Sequence, residues 1–85
     1  MTRAVMYATE WCPYCRRAEA LLRSKGVDIE KIDLDAAPDR RAEMQRRSGR
    51  RTVPQIWIGA THVGGFDELH DLERQGRLDP LLAAA

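Results

Sequence analysis

Both cysteines of this 85-residue chain fall in one four-residue window, Cys12-Pro13-Tyr14-Cys15. An apolar run, Ala4-Val5-Met6-Tyr7, lies just before the window, and an amphipathic stretch lies just after it. This placement constrains the fold more than any other feature. A disulfide that serves as a staple closes a long loop, because the chain entropy it removes grows with loop length. A link across two residues removes little, so the pair is poorly placed to stabilise and well placed to exchange electrons. It also has to sit at a junction between a strand and a helix.

The rest of the pattern follows from that junction. Arg3 to Ala8 reads as a buried strand. Pro13 suits the first turn of a helix, where its missing N–H costs nothing. Tyr14, Ala18, Leu21 and Leu22 then recur at helical spacing, and Gly26 ends the run. Val27 to Leu34 reads as a second strand. Pro38 opens a second helix, anchored by Met44 with support from Ala42 and closed after Ser48 by Gly49. Val53 to Ile58 is a third strand, with Ile56 and Ile58 on one side and Gln55 and Trp57 on the other. Gly59-Ala60 turns the chain into a returning strand over Thr61 to Val63. Gly64-Gly65 then leads into a helix carrying Phe66, Leu69 and Leu72, stopped by Gly76, and a short terminal helix carries Leu78, Leu81 and Leu82.

A strand, helix and strand in that order close as a parallel crossover, and the hairpin extends the same sheet in the antiparallel sense. The expected architecture is a three-layer α/β/α sandwich around a four-stranded mixed sheet, with residues 1–85 forming one domain. Fourteen basic and thirteen acidic residues leave a net charge of +1, which argues against a general nucleic-acid binder. No apolar run approaches the roughly twenty residues of a membrane span. The stretch from Ala4 to Ala8 is too short for a signal-peptide core, so the chain reads as cytoplasmic.

Cys12 falls at the start of the first helix, where unpaired amides and the positive helix end favour a thiolate. Cys15 lies one turn deeper, within reach of Cys12 and less able to meet solvent. On these positions Cys12 attacks and Cys15 resolves. Two other readings compete: inert core cysteines, and a metal site. Structural zinc wants four ligands, and His62 and His70 do not complete a finger-like spacing, so no bound metal is expected.

Three motifs in order resemble the glutaredoxin family of the dithiol type, in its compact bacterial class: Cys12-Pro13-Tyr14-Cys15, Thr52-Val53-Pro54 and Gly64-Gly65-Phe66-Asp67. His62-Val63 and Leu78-Asp79-Pro80-Leu81-Leu82 fit as well. The resemblance implies a thioredoxin-like fold and a glutathione-dependent thiol–disulfide oxidoreductase. It implies a cis bond before Pro54 and a site for glutathione, as co-substrate, built from Tyr14, Thr52, Val53, Pro54, Gly65, Phe66 and Asp67. In that site the Phe66 and Asp67 amides meet the γ-glutamyl carboxylate and Asp67 meets the ammonium group. Thr9 stands where the family commonly has a lysine, and Arg40 or Arg41, or else Arg51, is expected to supply the second cation. The implied partners are glutathionylated and disulfide-bonded proteins, ribonucleotide reductase among the candidates, approached by a monomer. Relatives devoted to carrying iron–sulfur clusters commonly have Gly-Phe-Ser after the first cysteine, and Pro13-Tyr14-Cys15 points instead to redox work.

Overall fold

The computed structural model of the chain describes residues 3–85, so the first two residues of the expected unit lie outside it. The elements run β1 (Arg3–Ala8), α1 (Pro13–Ser24), β2 (Asp28–Asp33), α2 (Arg40–Ser48), β3 (Gln55–Ile58), β4 (Thr61–Gly64), α3 (Phe66–Arg74) and α4 (Leu78–Ala84). The sheet order is β2-β1-β3-β4. β1 pairs with β2 in parallel, Tyr7 opposite Ile32, and with β3 antiparallel, Met6 opposite Ile56. β3 and β4 form the hairpin, with an irregular register between Ile56 and Trp57.

Alternation along the strands sends successive side chains to opposite faces and so builds two cores. On one face, Ala4, Met6, Ala8, Ile56 and Ile58 pack with Ala18 and Leu22 of α1, Leu69 of α3, and Leu78 and Leu82 of α4. On the other, Tyr7, Ile32 and Trp57 pack with Leu34 and with Met44 of α2. The sheet between these two layers makes the thioredoxin-like α/β/α sandwich that the sequence implied. Among the described residues no helix is long and apolar enough to cross a membrane.

Two glycines end helices as expected. After α1, the Gly26 N–H donates to Arg23 O (3.0 Å) and Val27 N–H to Leu22 O (3.2 Å); after α3, Gly76 and Arg77 repeat the pattern on Glu73 and Leu72. Both glycines have φ near +72°, a conformation that side chains with a Cβ disfavour.

The second helix departs from expectation. It begins at Arg40 rather than Pro38, because Arg40 N–H bonds to Ala37 O and Arg41 N–H to Pro38 O, tight turns that take up the residues around the proline. Ala42 is exposed and lends no support, so Met44 is the helix's only buried residue. The rest of the anchorage is polar and aromatic. The Tyr7 hydroxyl donates to the Glu43 carboxylate and accepts from Arg47 Nη1 at 2.7 Å, while the Arg47 guanidinium lies 4.4 Å from the centre of the Trp57 ring. β2 and β3 are also shorter than expected: Val27 and Leu34 lie outside β2, and the Val53-Pro54 segment lies outside β3.

Candidate active site

Cys12 occupies the N-cap of α1. Its backbone is extended (φ −91°, ψ 111°), Pro13 follows in the first turn, and the Cys15 backbone N–H donates to Cys12 Sγ at 3.1 Å. An amide aimed at sulfur at the positive end of a helix is an arrangement suited to negative charge. On its other side Cys12 Sγ lies 3.7 Å from the Val53 carbonyl, in the segment carrying a cis bond before Pro54. Cys12 is half-buried, whereas Cys15 is only 3% exposed. Burial, the hydrogen bond with Cys12 and the neighbouring Cys12 charge push the Cys15 thiol up to about 12. The two sulfurs are thus unequal: one faces the surface, and the other is held as a buried thiol.

A cleft of about 270 Å³ is lined by Tyr14, Arg50, Thr52, Val53, Pro54, Gly65, Phe66, Asp67 and Glu68. It brings the segment after the first cysteine together with the Thr52–Pro54 turn and the N-terminus of α3. The Tyr14 and Phe66 rings stand 6.2 Å apart, and Phe66 stacks in turn on His70 at 5.5 Å. Behind the Thr52 turn, the fully buried Gln55 donates from Nε2 to Thr52 O (3.1 Å) and Thr52 Oγ1 (3.3 Å). Its Oε1 lies 2.9 Å from His62 Nε2, and His62 stacks on Trp57. Gln55 therefore fixes one wall of the cleft from inside the sheet.

The opposite wall rests on Glu68. Its Oε1 accepts from Gly65 N–H at 2.6 Å and from Arg50 Nη1 at 2.9 Å. Gly64 passes beneath this carboxylate with φ +112°, and a Cβ there would stand 2.6 Å from Glu68 Oε1. The backbone conformation favours glycine here, and a Cβ would in addition push the Glu68 carboxylate off its cap. The Gly65 bond, then burial opposing it and the Arg50 pair assisting, hold the Glu68 carboxyl below the ordinary carboxylate range.

This geometry has close counterparts. The sequence profile of the family described as Glutaredoxin matches residues 4–63 of the chain. The chain belongs to the glutaredoxin family. It is 60% identical over 84 residues to a glutaredoxin of Pseudomonas aeruginosa, covering 99% of this chain and all of that one. It is 52% identical over 82 residues to glutaredoxin 3 of Escherichia coli, covering 96% and 99%. The solution structure of glutaredoxin from Brucella melitensis superposes with a TM-score of 0.82 at 55% identity, covering 96% of this chain and 89% of that one. A buckwheat glutaredoxin, crystallised in complex with glutathione, superposes with a TM-score of 0.88 at 31% identity, covering 98% and 78%. With the Cys12-Pro13-Tyr14-Cys15 pair, this glutaredoxin is a dithiol, bacterial glutaredoxin 3-like member with glutathione-dependent thiol–disulfide oxidoreductase activity.

Most of the residues singled out in the sequence of this glutaredoxin come together. Tyr14, Thr52, Val53, Pro54, Gly65, Phe66 and Asp67 all line the cleft beside Cys12. Thr9 does not; it lines a separate cavity of about 430 Å³ on the far side of Cys15. Arg40 is turned onto Glu43, with Nη2 to Oε2 at 2.9 Å, and Arg41 Nη1 reaches the Arg51 carbonyl at 3.5 Å; neither lines the cleft. The cation that does is Arg50. Sequence reasoning passed over Arg50, Gln55 and Glu68. The spacing Gly65-x-x-Glu68 is that of a capping box and signals Glu68; no local spacing ties Arg50 to a residue eighteen positions away.

Proposed function

We propose that Cys12 is the nucleophile and Cys15 the resolving thiol, and that the 270 Å³ cleft receives the glutathione moiety of the substrate. The observation that carries this reading is the inequality of the sulfurs: Cys12 at the mouth of the cleft with an amide on it, Cys15 buried with its proton held. The Phe66 and Asp67 amides at the start of α3 suit the γ-glutamyl carboxylate. The Asp67 carboxylate suits the ammonium group, and Tyr14 and Phe66 flank the tripeptide. Arg50 is the cation nearest to hand for a second carboxylate, in place of Arg40 or Arg41, and the glutathione complex of the buckwheat relative supports such a ligand.

The chemistry divides by substrate. With a glutathionylated protein, the Cys12 thiolate attacks the glutathione sulfur, the protein leaves as thiolate, and a Cys12–glutathione disulfide remains. A second glutathione thiolate then attacks that disulfide, leaving glutathione disulfide and the Cys12 thiolate. With a protein disulfide, the mixed disulfide joins Cys12 to the protein. Cys15 resolves it, because an intramolecular thiol acts at high effective concentration. The working partners are glutathionylated and disulfide-bonded proteins, ribonucleotide reductase among the candidates, met by a monomer of this one domain in a reducing, cytoplasmic compartment.

Two steady-state assays on each variant test the assignment, one on a glutathionylated peptide and one on a disulfide-bonded protein. Cys12→Ser loses both activities. Cys15→Ser keeps deglutathionylation and loses most of its efficiency on the protein disulfide. Residual activity in Cys12→Ser, or loss of deglutathionylation in folded Cys15→Ser, refutes the roles.

A further inference from the structure

Resolution by Cys15 raises a physical difficulty, because the thiol is 3% exposed and its proton is held up to about 12. Two of the causes disappear at the moment of need: once Cys12 is tied in a mixed disulfide, it no longer presents a negative sulfur to its neighbour. Burial, the largest cause, remains. The Thr9 backbone, hydrogen-bonded to Cys15, opposes it, and so does the charge of Lys31.

The far side of Cys15 holds both. The 430 Å³ cavity there is lined by Cys15 together with Thr9, Glu10, Arg16, Glu19, Lys31 and Asp33, and it does not include any residue of the glutathione cleft. Lys31 sits on β2, in register with Met6 of β1, and its Nζ lies 3.1 Å from Glu19 Oε1 of α1. Glu19 is itself held by Arg23 at 2.8 Å. The ammonium is thereby tied across the strand–helix gap at the cavity that Cys15 also lines, and its charge adds to the Thr9 backbone hydrogen bond in drawing the Cys15 thiol down against burial. The other charges around the cavity are Glu10, Glu19 and Arg16 from the β1–α1 side and Asp33 from β2. Lys31 is half exposed, so the cavity opens to water and a proton has a way out that avoids the occupied substrate cleft.

We propose that Lys31, positioned by Glu19, is the residue that promotes the resolving step, by stabilising the Cys15 thiolate across this rear cavity. The Cys15 proton passes to water in the cavity. The thiolate then attacks Cys12 Sγ of the mixed disulfide, the Cys12–Cys15 disulfide forms, and the substrate sulfur leaves as a thiolate that takes up a proton from solvent. Lys31 touches no reacting atom of the substrate; it is a positioning residue acting through Cys15. The inference rests on the assignment of Cys15 as resolving thiol.

Reaction of the reduced protein with dithiobis-nitrobenzoate separates the steps, since each releases one coloured thiolate: the first when Cys12 attacks, the second when Cys15 resolves. In Lys31→Met the second phase should slow by about fivefold near neutral pH, the size expected of a partly screened charge. Its rise with pH should move to higher pH, while the first phase keeps its rate. Lys31→Arg should restore the second phase. An unchanged second phase in Lys31→Met, or equal slowing of both phases, overturns the role of Lys31. A second phase persisting in Cys15→Ser instead overturns the assignment of Cys15, so the two failures are distinct.

Discussion

The Cys15 backbone N–H donates to Cys12 Sγ across 3.1 Å, and the same turn of helix carries the Cys15 side chain into the core. One short segment therefore gives its first sulfur a donor and takes water from its second. The consequence for Cys15 can be measured directly. Its thiol is raised by burial first and by Cys12 second, to about 12. In Cys12→Ser it should titrate below that value, yet above the roughly 8.5 of a free thiol, because the burial persists. Ultraviolet absorbance of the thiolate against pH reads both; an ordinary thiol titration would mean that the core around Cys15 admits water.

Iodoacetamide should label the reduced protein at Cys12 and spare Cys15, because the first sulfur is half-buried at the cleft and the second is 3% exposed. Peptide mapping after brief alkylation gives the comparison. Equal labelling of the two would remove the inequality of the sulfurs.

Asp67 is exposed on the wall of the cleft and engages none of the hydrogen bonds that cap α3. Asp67→Ala should therefore leave the fold intact and weaken use of a glutathione mixed disulfide by about 1.5–3 kcal/mol, as for a lost hydrogen bond to a charged group. The loss should appear in kcat/KM for that substrate, with Cys12 alkylation unchanged. A matching drop in melting temperature would point to a structural role.

Glu68 carries the cap that Asp67 does not. Removing it in Glu68→Ala frees the Gly65 N–H and the Arg50 guanidinium together, with an expected cost of about 1 kcal/mol. The acid dependence has a definite sign. The folded-state carboxyl is held below its ordinary value of 4.5, so its contribution is fully present above pH 4.5 and is lost as pH falls through the lowered value. Urea unfolding between pH 6 and 3 should show the wild type losing more stability than Glu68→Gln; parallel curves would refute the cap.

Met44 is the only buried residue of α2, and its neighbour in the same helix, Ala42, faces water. Met44→Ala should cost about 2–5 kcal/mol through the cavity it opens beneath Tyr7 and Trp57. Ala42→Ser should stay within about 0.5 kcal/mol. Denaturant midpoints decide it, and a mild Met44→Ala would mean that the Tyr7–Glu43–Arg47 contacts hold the helix.

Covalent spacing and periodicity are legible in the order of residues alone. Cys12 and Cys15 had to stand one helical turn apart at the start of α1, since Pro13 and the apolar spacing behind it admit little else. Ile56 and Trp57 had to face opposite layers because a strand alternates. Gly26 and Gly76 had to end their helices because the chain there needs positive φ. Reach and burial, in contrast, are settled by how the elements pack in space. Six arginines lie between positions 40 and 51, and local pattern does not distinguish them. A long, flexible side chain goes where the nearest counter-charge is: Arg40 to Glu43 within its own helix, and Arg50 across to Glu68 on α3. The deep burial that makes Cys15 so different from Cys12 is likewise a property of the layers closing over it. Desolvation depends on every neighbour in space, and the neighbours of Cys15 in space come from elements that its neighbours in sequence do not specify.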